Sequence, residues 1–266
     1  MTQQTRTRLT LLTLMGLTMV RLPLALALRT LLPDASVNPE MNYVASILQS
    51  LLMFALPALL LMPLWRRGEA EKKWSPGGCL LLAGIAVLAR LVATPLNAEW
   101  AQMLGAPMAA LPAVDGPAGM VLMLLAAVVI PAVAEELFFR GALLTNLLRS
   151  GSRMQALVLT TVMFALMHGS LAGLPGHLII SLLLTLLMMH IGHLAAPMAA
   201  HMLYNLLALG RWELGQVVPW VLGGMLAVLL GWLLMRLPRG QKRRLLLTEW
   251  LLCAVILLAM ALQYLI

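Results

Sequence analysis

Long apolar runs separated by short polar punctuation organise this chain of 266 residues. Nine runs follow one another: Leu9 to Leu32, Asn42 to Trp65, Gly77 to Pro95, Ala118 to Arg149, Met154 to Leu171, Leu178 to His190, Met198 to Leu209, Val217 to Leu237 and Leu245 to Ile266. Most approach the roughly 20 residues that carry a helix across a bilayer. The pattern predicts an all-α polytopic transmembrane bundle of about 8–9 spans, forming a single integral membrane domain over residues 1–266. No repeat and no linker divides it. The first run, preceded by Arg6 and Arg8, has the outline of a signal peptide, with a cleavage-like Ala25-Leu26-Ala27. It continues to membrane length past Arg21, however, and reads as a retained span. The third run is expected to stop at Pro95, leaving a connection from Leu96 to Gly116 with a short interfacial helix around Trp100. SGSR, Ser150 to Arg153, reads as the turn of a helical hairpin.

Composition removes the soluble alternatives. Hydrophobic residues make up 62% of the chain and charged ones 11%, with mean hydropathy +0.94, where a soluble domain would be about a quarter charged. The net charge of +8 is explained by topology and excludes nothing else until it is placed. Arg6, Arg8, Arg66, Arg67, Lys72, Lys73, Arg149, Arg153, Arg236, Arg239, Lys242, Arg243 and Arg244 fall in alternate loops. The intervening loops hold only Arg211. The positive-inside rule then places the N-terminus in the cytoplasm of a multi-pass protein of the cell (inner or plasma) membrane. The lipid bilayer is its partner and nucleic acid is not. Cys79 and Cys253 both lie in apolar runs and read as small buried hydrophobes.

Candidate chemistry centres on PAVAEELFFRG, Pro131 to Gly141. Ionisable side chains in a membrane span are costly unless paired or facing a wet cavity, so they mark function by default. Glu136 and Arg140 stand at i and i+4 with the acid first, the favourable order for an ion pair. Glu135 points about 100° away and remains free for chemistry. Glu136 and Arg140 are therefore the structural, supporting pair. All five histidines lie between residues 168 and 201. Glu135 precedes the hairpin turn near residue 151 by about as much as His168 follows it, so both lie roughly 24 Å from the tip and face each other. HMLYN puts His201 and Asn205 on one face of the seventh helix. His177, His190 and His193 sit at helix ends or loops and read as interfacial. Glu135, His168, His201 and Asn205 are expected to converge within a water's reach, in a cavity open to the cytoplasmic side. That convergence requires the polar tail of the fourth helix (Thr145, Asn146, Arg149) to project from the bilayer.

EELFFRG, FALMH (Phe164 to His168) and HMLYN resemble, in order and spacing, the three motifs of the CPBP family of intramembrane proteases, which includes the CAAX prenyl endopeptidases and the Abi-like bacteriocin-processing enzymes. They span the family's catalytic core, here about residues 118–209. The chain departs from many members by carrying His190 and GHLAAP where they have an Arg and a Gly-Ser/Leu-Trp-Ala-Pro turn. The resemblance implies an intramembrane endopeptidase acting on a membrane-associated or lipidated protein or peptide, prenylated in the CAAX branch. Glu135 would be the general base, His168 would orient water or protonate the leaving amine, and His201 and Asn205 would bind the oxyanion. It also implies a competing picture in which Glu135, His168 and His201 hold zinc; the residues themselves show no His-Glu-x-x-His pattern. A catalytically silent scaffold or immunity protein and a proton-coupled transporter are the alternatives from other classes.

Overall fold

The computed structural model describes residues 1–36, 38–65, 76–106, 111–210, 218–237 and 245–264. Among them the apolar runs become helices: α1 (Gln3–Leu31), α2 (Pro39–Leu60), α3 (Pro76–Leu104), α4 (Gly116–Ser150), α5 (Arg153–Met167), α6 (Leu174–Ile191), α7 (Ala195–Ala208), α8 (Val218–Met235) and α9 (Leu247–Leu262). The described residues contain no strand. By length and composition, six helices (α1, α2, α3, α4, α6 and α8) can cross a membrane, while α5 and α9 are shorter apolar helices. The loops holding Arg66, Arg67, Lys72, Lys73, Arg211, Arg239, Lys242, Arg243 and Arg244, on which the expected orientation largely rests, lie outside the described residues.

Local chemistry sets the helix ends. Asn38 caps α2 by accepting from the Glu40 and Met41 backbone N–H groups, with Pro39 opening the helix. Ser152 and Gln155 close a reciprocal capping box at the start of α5, which makes SGSR a tight turn. Beyond α5, Gly169 takes a left-handed φ of +63° and ends the helix. Inside α2 and α4 the backbone widens to π-helical turns at Leu51–Ala55 and Leu125–Val129. In each case a proline, Pro57 or Pro131, follows two residues later. Its missing N–H deprives the carbonyl four residues back of its α-helical donor, at Met53 or Ala127, in the middle of the widened turn. A third wide turn, Leu137–Leu144, follows the paired glutamates, and Thr145 Oγ1 donates to the Arg140 carbonyl beside it at 3.1 Å.

The third helix does not stop at Pro95. It runs on to Leu104, so no separate interfacial helix forms around Trp100. Tertiary bonds hold the extension: Asn97 Oδ1 accepts from Gly176 N at 2.8 Å, and Trp100 Nε1 donates to the Leu171 carbonyl at 3.0 Å. The polar tail of α4 also differs from expectation. It is buried against the first turns of α1 instead of projecting into water. Thr7 Oγ1 donates to the Asn146 carbonyl at 2.9 Å and shares a 2.6 Å bond with Ser150 Oγ, while Asn146 Nδ2 donates to Thr10 Oγ1. Asn146 and Ser150 thus find partners on α1, while Arg149 Nη1 donates to the Leu64 carbonyl at 3.1 Å, which lessens the reason for exposure. α9 lies along α1, where Arg8 pairs with the buried Glu249 at 2.7 Å. α3 packs against α6, α7 and α8, and Arg90 lies over the Tyr204 ring of α7 at 5.4 Å. Cys253 is a free, buried thiol in the core.

Candidate active site

The hairpin of α4 and α5 puts Glu135 and His168 face to face, with Oε2 and Nε2 3.5 Å apart. That is the juxtaposition which equal spacing from the turn predicts. Glu136, on the other side of the helix, is fully buried, and its Oε1 accepts from Arg140 Nη1 at 2.7 Å and from His201 Nδ1 at 2.9 Å. Arg140 is also fully buried. Its Nη2 donates to both the carbonyl and the hydroxyl of Ser181, each at 3.0 Å. One guanidinium thus ties α4 to α6, and one carboxylate ties α4 to α7. Such a network is stable in an apolar interior because each charge keeps both a counter-charge and further hydrogen bonds.

Phe164, four residues before His168, is the hub around which these groups pack. The Arg140 guanidinium lies 4.4 Å from its ring centroid, the His168 ring 4.7 Å and the His201 ring 5.8 Å. All four phenylalanines of the chain join one cluster: Phe164 meets Phe139 at 5.1 Å, and Phe139 meets Phe138 and Phe54 at 5.4 and 5.8 Å. The cluster forms a dry wall against which the polar groups keep fixed positions.

Hydrogen bonds define which nitrogen of each histidine is available. His168 Nδ1 lies 2.9 Å from the Phe164 carbonyl. A carbonyl only accepts, so Nδ1 bears the proton and Nε2 faces Glu135. By the same reasoning, His201 Nδ1 donates to Glu136, which leaves Nε2 as its other functional nitrogen. Glu135 Oε2 is buried and has no hydrogen-bond partner. A carboxylate and a bare imidazole nitrogen at 3.5 Å do not form a good bond with each other, but both can accept from one water set beside them.

Glu135 and His168 line a cavity of about 180 Å³ together with Arg21 of α1, with Ser46, Gln49, Ser50, Met53 and Phe54 of α2, and with Met167. Its neighbour of about 590 Å³ shares Ser46 and Gln49 and reaches Arg29 and Pro33. The polar space therefore follows the groove between α1 and α2 towards the Leu31 end of α1. An opening to the cytoplasm, as expected, would on the expected N-in orientation lie at the Gln3 end instead. At that end Thr7 and Thr10 bond to Asn146 and Ser150.

Not every candidate joins the pair. His201 is drawn to Glu136, and Asn205, half-buried one turn further along α7, takes no part in the bonds that link Glu135, Glu136, Arg140, His168 and His201. Neither His201 nor Asn205 lines the cavity shared by Glu135 and His168. Among the described residues, no three His, Cys, Asp or Glu side chains stand together as a metal ion requires. His190 and His193 stay at the end of α6 in local bonds, to the Leu186 carbonyl and from the Ala195 N–H. His177 does not behave as an interfacial residue. Its ring stacks on His168, centroids 4.0 Å apart and planes 25° from parallel. No periodicity in the sequence links the two, because the helix breaks between Gly169 and Gly173.

Residues 117–207, from the start of α4 to the end of α7, match the family model described as type II CAAX prenyl endopeptidase Rce1-like. The Rce1-like segment covers about a third of the chain and contains Glu135, Glu136, Arg140, His168, His177, His201 and Asn205. Arg21 and the α1–α2 groove lie outside it. No curated protein and no solved structure matches the chain.

Proposed function

We propose that this protein is an intramembrane endopeptidase that hydrolyses a peptide bond of a membrane-associated or lipidated protein, using a water activated by Glu135. The approach of Glu135 to His168 beside a polar cavity, with Glu136 Oε1 held by Arg140 and His201, carries this reading. The water donates one hydrogen towards Glu135 and the other towards His168 Nε2, leaving its lone pairs for the substrate carbonyl. Glu135 takes a proton as the water oxygen bonds to the carbonyl carbon. The same proton passes to the nitrogen of the leaving amine when the C–N bond breaks, so no net proton is consumed at the site. His201, bonded to Glu136, and Asn205 stand outside this cavity and take no part in the step. His177, stacked on His168, keeps the imidazole plane fixed. No step requires a metal, and hydrolysis by the purified protein is expected to persist in the presence of a chelator.

Proteomic comparison of membranes from cells expressing wild type or Glu135→Gln tests the reading. Peptide termini present with wild type and absent with Glu135→Gln, at equal protein level and equal melting temperature in detergent, are the expected outcome. Identical termini in both would sink hydrolysis and favour a scaffold or a proton-coupled transporter.

A further inference from the structure

Arg21 is the only charged residue between Leu9 and Leu28 of α1. It sits about 15 Å from the Leu31 end of the helix and about 27 Å from the Gln3 end, well inside the span. Its guanidinium reaches the end of α5: Nη2 donates to the His168 carbonyl at 2.8 Å and Nη1 to Gln263 Oε1 at 3.3 Å. It lies against Gly169, where any Cβ would fall within contact distance of Cζ and both Nη atoms. Both bonds go to neutral acceptors. Arg21 makes no ion pair among the described residues; Glu135 lines the same cavity but faces His168 at 3.5 Å. A neutral side chain would suffice to tie α1 to α5. An uncompensated guanidinium in a span is costly and persists where it meets an anion or a water-filled space.

The side chain also lines two cavities. One holds Glu135 and His168; the other, of about 260 Å³, lies between Leu22, Ala25, Gln49, Gly169 and Gln263. We infer that Arg21, held by the His168 carbonyl and Gln263 over Gly169, is a binding residue for a carboxylate of the substrate peptide. The inference rests on the proposed hydrolase reading and narrows its substrate class. A guanidinium held at two corners retains free N–H groups, and a planar carboxylate is the group they match best. The guanidinium bonds to the backbone of the residue whose ring faces Glu135, so the bound carboxylate lies a short stretch of extended chain from the scissile bond. Both a C-terminal carboxylate and an Asp or Glu side chain at that spacing satisfy the geometry.

Binding to the full-length Glu135→Gln protein in detergent separates these sources without turnover. Three probes are compared: a dodecanoyl tripeptide ending in a free carboxylate, the same peptide as its C-terminal amide, and the amide carrying one internal Glu. One or both carboxylate probes should bind about tenfold or more tightly than the plain amide. Adding Arg21→Gln should erase that preference, and Arg21→Lys should retain part of it. The stronger of the two carboxylate probes identifies the source. Equal binding of all three peptides, or binding of none, overturns the inference even if Arg21→Gln proves too unstable to measure. Its failure is distinct from that of the hydrolase reading. Cleavage with no acid preference sinks only the carboxylate site, and acid preference without any Glu135-dependent cleavage sinks only the hydrolysis.

Discussion

At the residue scale, two adjacent glutamates have been given opposite environments. Glu136 accepts from Arg140 and His201 and is sealed from solvent, whereas Glu135 faces a cavity and one imidazole. Replacing Arg140 with Ala leaves the buried Glu136 carboxylate without its counter-charge and strips two bonds from Ser181, at a cost of about 3–5 kcal/mol. Arg140→Ala should therefore lower the detergent melting temperature sharply or abolish expression, while Glu135→Gln should leave melting unchanged. Similar melting for both variants would refute this division of roles. The i, i+4 spacing made the Glu136–Arg140 pair legible in advance. The third partner was not legible, because His201 reaches Glu136 from sixty-five positions away. His177 was misread for a related reason: its contact with His168 crosses a helix break, where spacing carries no directional information.

At the element scale, the end of α5 has to serve two neighbours. Gly169 stops the helix in a left-handed conformation and admits the Arg21 guanidinium. A methyl group there would meet backbone strain of about 1–2 kcal/mol and would also displace Arg21. Gly169→Ala is expected to lower the melting temperature by several degrees and to weaken Glu135-dependent cleavage more than Gly231→Ala, where a Cβ meets open space. Equal behaviour of the two alanine variants would show that the close approach is unimportant. Helix ends elsewhere were readable where capping chemistry was local, as at Ser152–Gln155. Pro95 misled because bonds from Asn97 and Trp100 to the α5–α6 region support the helix beyond it.

At the scale of the whole molecule, orientation and access are linked. The pattern of basic loops leads to the expectation of a cytoplasmic N-terminus, and the groove between α1 and α2 carries polar space from Glu135 and His168 towards Pro33 at the opposite end of α1. With the N-terminus inside, the approach to the site would lie on the non-cytoplasmic face. Single cysteines at Thr2 and Asp34, both exposed, in a background lacking Cys79 and Cys253, report on this directly. An impermeant thiol reagent added to intact cells should label Asp34→Cys and spare Thr2→Cys until lysis. The reverse pattern would invert the topology and turn the groove towards the cytoplasm.

The apolar runs alone determined the class of fold, the succession of helices and the Glu135–His168 meeting, because helix rise and a nearly symmetric hairpin convert position in the chain into depth. The three motifs likewise pointed to the family that residues 117–207 match. Only the tertiary structure decided which histidine would bind Glu136, which would stack on His168, and where the cavity would run. Those outcomes depend on how helices far apart in sequence rotate and pack. The N-terminal turns of α1 paired with the tail of α4, and Arg21 entered the site from a helix that carries none of the motifs. Periodicity places a side chain on a face of its own helix; the partner of that face is set by packing across the whole chain.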